Sequence, residues 1–152
     1  MDTTSSTMTY GIWSVYRNAP VKARLFEELD SAFPDIHDIS FQKSESLPYL
    51  SAVIKETLRL YSAAPGLLPR VVPAGGMSID GMFLPAGTEV AMQAYTVHRD
   101  SDIFGTDCEA WRPERWLSEN TPADQLKAMQ KALLPFSQGE ENGIPWSKSI
   151  PH

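Results

Sequence analysis

Cysteine is almost absent from this sequence of 152 residues: Cys108 is the only one. An internal disulfide is therefore excluded, as is any site built from several cysteines. Histidine is scarce too, and His37, His98 and His152 lie too far apart in the chain for a zinc-ligand spacing. Zinc and iron-sulfur chemistry have nothing to stand on. No apolar run approaches the roughly 18 to 20 residues that cross a bilayer. The amino end, Met1-Asp2-Thr3-Thr4, has neither the basic nor the apolar region of a secretory signal. The expectation is a soluble or cytoplasmic chain with no membrane segment. Basic charge is also in deficit: thirteen Lys and Arg against nineteen Asp and Glu leave a net charge of −6. With no positive field to neutralise phosphates, nucleic acid is excluded as a partner. Cys108 itself stands in "GTDCEAW" between two acids, a setting that disfavours a thiolate, and is expected to be a bystander.

What remains is ordinary globular material, 42% hydrophobic and 21% charged, enough for one core of moderate size. Met8, Ile12, Val15 and Tyr16 recur at helical spacing and predict a helix over 3–17 that stops before Asn18-Ala19-Pro20. Pro20 suits the first turn of a second helix, with Val21, Leu25, Leu29 and Phe33 as its stripe. Residues 35–46 read as a polar loop. Leu50, Val53, Ile54, Thr57, Leu58 and Tyr61 give the strongest helical pattern, with Pro65-Gly66 as its stop. Asp80-Gly81 is a turn dipeptide between β-prone runs, and "FLPAGTEVAMQAY" reads as strand, turn and strand. A turn-rich stretch carrying tryptophan spans 96–120. Thr121 then supplies an N-cap, Pro122 the first position and Asp124 a first-turn acid for a last helix to about Leu134. The fold class is mainly α with a small hairpin-rich β-sheet.

Three stretches carry candidate chemistry. Glu56 and Arg59 in "KETLRLY" sit three apart and share a helix face with Ala52 and Leu60. Alone, they read equally as an exposed i,i+3 pair. "WRPERW" places Arg112, Glu114 and Arg115 between two tryptophans, where a guanidinium is stacked and partly buried and needs a carboxylate. Glu56 is free to bridge Arg59 and Arg115, as a specificity device more than a source of stability. "HRD" at 98–100 also opens a kinase catalytic loop, but Gly105 stands where that loop needs asparagine, and no phosphate-cradling glycine loop precedes it. No G-x-S-x-G elbow or H-E-x-x-H helix is present, which removes the common hydrolases.

"ETLR" within an apolar helix, "RPERW" some fifty residues on, and "PFSQG" after a further helix resemble, in that order, the C-terminal landmarks of a cytochrome P450, a haem-thiolate monooxygenase. The resemblance runs from Asp2 to about Gly139. It implies the C-terminal part of that fold, with residues 1–139 a partial cytochrome P450-like domain and residues 140–152 a divergent, disordered tail.

The resemblance also implies roles. Asp2 and Thr3 look like the acid-alcohol pair that delivers protons to iron-bound dioxygen, without the Ala-Gly that precedes it in the family. Glu56, Arg59 and Arg115 match the structural triad. Arg70 stands where a cation meets a haem propionate, and Phe136 and Gly139 begin the ligand loop. The implied cofactor is haem. The implied partners are an NADPH-dependent reductase and a small apolar organic substrate, and full-length relatives are commonly anchored at the endoplasmic reticulum. The ligand loop runs Phe-x-x-Gly-x-Arg-x-Cys-x-Gly; here the arginine position is Glu141, the cysteine position Gly143 and the last glycine position Pro145. The chain is therefore expected to lack the axial thiolate and to be inactive alone. The alternative is a non-catalytic structural or interaction module that keeps the family's core.

Overall fold

The chain threads two long helices, a polar connection, a third long helix, a β-rich excursion and a closing helical stretch. In the computed structural model, residues 3–63 and 65–136 are described. Helix α1 covers Thr3–Arg17 and α2 covers Ala19–Ala32, with Pro20 in the first turn of α2 and Asn18 accepting from the Val21 amide as its cap. The N-cap side chain satisfies one of the orphan amides of the helix start. Helix α4, Pro48–Leu60, crosses both. The core lies where the three meet: Val15, Val21, Leu25, Tyr49, Ala52 and Val53 are buried together with Phe104, Trp116, Leu117 and Met129.

Residues 35–46 are not a plain polar loop. They hold a 3-10 turn, Ile36–Asp38, and a short helix α3, Phe41–Glu45. Asp35 and Ser40 accept from the amides of His37 and Lys43, so the same polar side chains that suggested a loop act as local caps.

The apolar stripes are also rotated from their sequence reading. On α1 only Ser14 and Val15 are buried, while Met8, Ile12 and Tyr16 stay more than half exposed. On α4 the buried residues are Tyr49, Ala52, Val53, Glu56, Thr57, Arg59 and Leu60, and Ile54 is 49% exposed. The helix turns its ion pair inward because that pair has partners there. It ends at Leu60, before Pro65-Gly66, with the Tyr61 amide donating to the Thr57 carbonyl.

The excursion makes two antiparallel pairs. Strands β2 (Met77–Ile79) and β3 (Met82–Leu84) form a hairpin whose Asp80 and Gly81 both have positive φ, 49° and 79°, the signature of a two-residue primed turn. Strand β4 (Glu89–Gln93) does not pair with β3 across the Pro85-Ala86-Gly87 turn. It returns to β1 (Leu67–Val71), in register Leu67 with Gln93 and Val71 with Glu89. The turn sends the chain away from the hairpin, and the Gly87 and Val72 backbones join the two strands just beyond the register.

Short helices α5 (Ala94–Val97) and α6 (Ser101–Phe104) follow, then a 3-10 turn, Pro113–Trp116, and helix α7, Ala123–Ala132. Thr121 does not cap α7. Its hydroxyl donates to the Arg115 carbonyl at 2.8 Å, and Pro122 stands at the cap without a side-chain hydrogen bond. The architecture is mainly α with a small antiparallel β component. Among the described residues no helix is long and apolar enough to cross a membrane.

Candidate functional site: a buried double guanidinium and the cleft beside it

Glu56, Arg59 and Arg115 meet in the interior, with relative exposures of 0%, 0% and 1%. Glu56 and Arg59 come from the same face of α4, and Arg115 from the 3-10 turn packed against it. The Glu56 carboxylate is saturated. Its Oε1 accepts from Arg59 Nη2 at 2.8 Å, Arg115 Nε at 3.0 Å and the Arg112 amide at 2.8 Å. Its Oε2 accepts from Arg59 Nε and the Trp116 indole, each at 2.9 Å.

A guanidinium carries five N–H donors, and both guanidiniums use all five. Beyond Glu56, Arg59 donates to the carbonyls of His98 and Cys108 at 2.6 Å and of Ala110 at 3.1 Å. Arg115 donates to the carbonyls of Phe104 at 2.6 Å, Asp107 at 3.0 Å and Ala110 at 3.1 Å, and to Asp107 Oδ1 at 3.1 Å. Two buried cations thus face one buried carboxylate, Glu56, and the partly exposed Asp107, which Arg112 also pairs at 2.8 Å. Burial pushes the Asp107 carboxyl up, but the hydrogen bond and charge of Arg115, with Arg112 adding to them, hold it below the usual carboxylate range. Arg59 also lies over the Phe104 ring at 5.0 Å. The stack expected of Arg115 between tryptophans is replaced by hydrogen bonds: Trp116 donates to Glu56 and packs edge-on against Phe104.

The network shapes the stretch from 98 to 116, where regular structure is sparse. Five of its carbonyls end on the two guanidiniums, which take the place of a ladder or helix in satisfying buried acceptors.

His98 belongs to the same assembly, and sequence reasoning missed it. Fully buried, it contacts the Arg59 carbonyl through Nδ1 at 2.8 Å, while Nε2 lies 2.7 Å from the Leu134 amide nitrogen. The Leu134 N–H can only donate, so Nε2 is the acceptor and Nδ1 carries the proton. The ring is neutral. Burial lowers its pKa to about 4, helped by the Arg59 and Arg99 charges and opposed by the hydrogen bond to the Arg59 carbonyl. The only sequence sign was the "HRD" triplet. Glu28 was missed as well: its two carboxylate oxygens accept the Tyr49 and Leu50 amides, both at 2.8 Å, and cap α4, whose own N-cap Leu47 has no side-chain bond to offer.

Above this assembly lies a cleft of about 630 Å³ between β1, α6 and α7, lined by Leu68, Arg70, Val97, Asp100, Lys131 and Leu134 among others. Arg70 is half-buried on its wall and donates from Nη1 to the Pro69 carbonyl at 2.8 Å. Phe136, half exposed, follows two residues after Leu134. The remaining sequence-predicted residues fall elsewhere. Thr3 is the exposed first residue of α1. Asp2, Gly139, Glu141 and Gly143 lie outside the described residues, as does the whole of 140–152.

The cleft sets the cations Arg70 and Lys131 and the acid Asp100 beside apolar side chains. Cys108 is buried in the helical core cluster, both ring nitrogens of His98 are used, and among the described residues no group of three His, Cys, Asp or Glu could hold a metal ion.

Comparison with known proteins finds relatives that share most of the chain. The chain is 39% identical over 142 residues to the cytochrome P450 monooxygenase aneF of Aspergillus aculeatus, covering 93% of the chain and 28% of that protein. It is 44% identical over 119 residues to pisatin demethylase of Fusarium vanettenii, covering 78% of the chain and 23% of that protein. To the cytochrome P450 monooxygenase penB of Penicillium thymicola it is 40% identical over 144 residues, covering 94% and 31%. The chain therefore spans about a quarter to a third of the length of these relatives. The family model described as Cytochrome P450 matches residues 1–142, and the chain belongs to the cytochrome P450 family.

Proposed function

We propose that this chain carries the haem-side scaffold of a cytochrome P450 monooxygenase and is not itself a competent monooxygenase. The observation that carries the reading is the saturated Glu56-Arg59-Arg115 network, which ties α4 to the 98–116 segment within a stretch that matches the family throughout. In this reading residues 1–139 are the P450-like part and 140–152 the divergent part. Arg70 is the cation for a haem propionate, a role that suits a guanidinium facing a carboxylate. Phe136 and Gly139 begin the ligand loop, and Asp2 and Thr3 stand for the proton-delivery pair. Haem, when bound in this family, supplies iron whose thiolate ligand favours O–O cleavage. Gly143 has no side chain with which to supply that ligand, so no catalytic step is assigned to this chain. Where the family's whole activity is present, its substrate is a small apolar organic molecule and its electrons come from an NADPH-dependent reductase.

The exposed side chains of Met8, Ile12 and Tyr16 support a segment of a larger domain over a free-standing module. They border an apolar groove of about 430 Å³ between α1, α2 and α4, of the kind that a further element normally covers.

Adding haemin to the purified chain, reducing it and exposing it to carbon monoxide tests the catalytic part. The expected result is no thiolate-type Soret band. A thiolate-type band from the unaltered chain would overturn the reading, because it would mean that Cys108 reaches the iron. Light scattering against concentration tests the segment reading: association through the exposed groove is expected, and a chain that stays monomeric at high concentration counts for the module.

A further inference from the structure

Arg59 and His98 hold each other twice. The Arg59 guanidinium donates to the His98 carbonyl at 2.6 Å, and the His98 ring contacts the Arg59 carbonyl at 2.8 Å. The second ring nitrogen reaches forward to the Leu134 amide at 2.7 Å. Leu134 is buried, lies just past the end of α7 and precedes Phe136 by two residues. Nothing regular continues α7 here, since the Leu133 backbone is already extended at φ −77° and ψ 106°. Leu134 is instead tied down by the histidine ring, and the carbonyl of the next residue, Pro135, accepts from the Ser62 hydroxyl at 3.5 Å.

We propose that His98 is a positioning residue: it suspends the entry to the ligand loop, at Leu134, from the buried Glu56-Arg59-Arg115 network. This rests on the reading of Phe136 as the start of that loop. The geometry asks for a residue that donates on one side and accepts on the other while remaining uncharged. Neutral imidazole does this across a ring, with both groups at fixed separation. Lysine and arginine only donate, and a carboxylate only accepts. An aliphatic side chain would leave the buried Leu134 amide and Arg59 carbonyl unpaired. Arg99, the next residue, reinforces the same junction by donating from Nη2 to the Leu60 carbonyl at 3.1 Å and by packing over the Tyr95 ring. The C-terminal turn of α4 is thereby clasped from two successive side chains, and only His98 passes the connection on to Leu134.

The test uses the 152-residue chain labelled with 15N, and none of it involves haem, so its outcome is separate from that of the haemin experiment. In the unaltered chain at neutral pH the ring should be the Nδ1–H tautomer with Nε2 unprotonated. An Nε2–H tautomer or an imidazolium overturns the proposal. Amide exchange at Leu134 is then compared in two variants. In His98→Gln the side-chain carbonyl can take the place of Nε2, and Leu134 should keep its protection. In His98→Asn the amide can take the place of Nδ1 only. Leu134 should then exchange roughly tenfold faster, the size of one buried hydrogen bond, while the Leu25 amide in α2 is unchanged. Equal exchange at Leu134 in the two variants overturns the proposal, because a merely space-filling histidine would not distinguish them. If either variant fails to fold, the tautomer of the unaltered ring decides.

Discussion

The Trp116 indole donates to Glu56 Oε2 at 2.9 Å, on the carboxylate oxygen that also receives Arg59 Nε. One carboxylate therefore neutralises part of two buried cations and ends an aromatic side chain as well. Replacing it by an amide in Glu56→Gln keeps the shape, removes the charge and points a donor at other donors. Breaking a buried ion pair by removing one partner costs about 3 to 5 kcal/mol, and the same range is expected here in a denaturant titration. Trp116→Phe removes one neutral donor to a carboxylate that still has four others, and should cost about half as much or less. A Glu56→Gln variant as stable as Trp116→Phe would mean that the two guanidiniums are neutralised elsewhere.

Glu28 contributes to the same helix from the other end. Its carboxylate takes the Tyr49 and Leu50 amides where Leu47 can offer nothing. A carboxylate at a helix start also meets the positive end of the helix dipole. Glu28→Ala should cost about 1 kcal/mol, the usual worth of a lost cap. Glu28→Gln, which keeps one acceptor, should fall between it and the unaltered chain. Far-ultraviolet melts of the three proteins check the order, and indistinguishable midpoints would show that water replaces the cap.

How much of this was legible beforehand depends on where each interaction ends. Helices α1, α2 and α4 were readable because side-chain periodicity reports directly on a helix, and their bounds moved by only a few residues. Glu56, Arg59 and Arg115 were readable because two of them share an i,i+3 spacing and the third sits in a tryptophan-flanked motif. Their depth was not. Counting apolar residues placed the buried face of α4 along Leu50, Val53, Ile54, Thr57, Leu58 and Tyr61, of which Val53 and Thr57 are buried, whereas full use of ten guanidinium donors makes it favourable to bury Glu56 and Arg59 as well. Those donors end mostly on main-chain carbonyls, and a carbonyl has no signature in sequence. The same reason hid His98, whose partners are two backbone groups 36 and 39 residues away. The β4 partner was hidden because register across the hairpin excursion depends on backbone pairing at Val72 and Thr88, and not on the residues of the turn alone.

The neutral His98 gives the chain an acid sensitivity with a defined window. In the unfolded chain its pKa is the ordinary 6.5, and in the folded chain it is lowered to about 4. Above 6.5 both states are neutral and the folded state keeps its full stability. As pH falls from 6.5 to 4 the unfolded chain takes up the proton and the folded chain does not, so stability drops, by an amount on the order of 3 kcal/mol. Asp107 acts in a lower window. Its pKa is held below the ordinary 3.8, so its contribution is present above that value and is lost only as pH falls further. Melting temperature followed between pH 7 and 4 should therefore decline in the unaltered chain and stay nearly flat over the same range in His98→Gln. A parallel decline in both would assign the sensitivity to other groups.

Two apolar residues of α1 differ sharply in burial. Ile12 is 56% exposed and borders the groove between α1, α2 and α4, whereas Val15, one turn on, is 5% exposed and sits in the core. Burial sets what each side chain contributes to folding. Ile12→Lys removes little buried area, and surface changes of this kind usually stay within about 0.5 kcal/mol. Val15→Ala loses two buried methyl groups and should cost more, about 1 to 2 kcal/mol at the lower end of core truncations. The two variants should part again in solution behaviour. A lysine at position 12 places a charge within the apolar face and should reduce concentration-dependent light scattering, while Val15→Ala should leave it unchanged or raise it. If Ile12→Lys lowers the melting point as much as Val15→Ala, Ile12 is covered in solution, and the groove is filled by contact between copies of the chain.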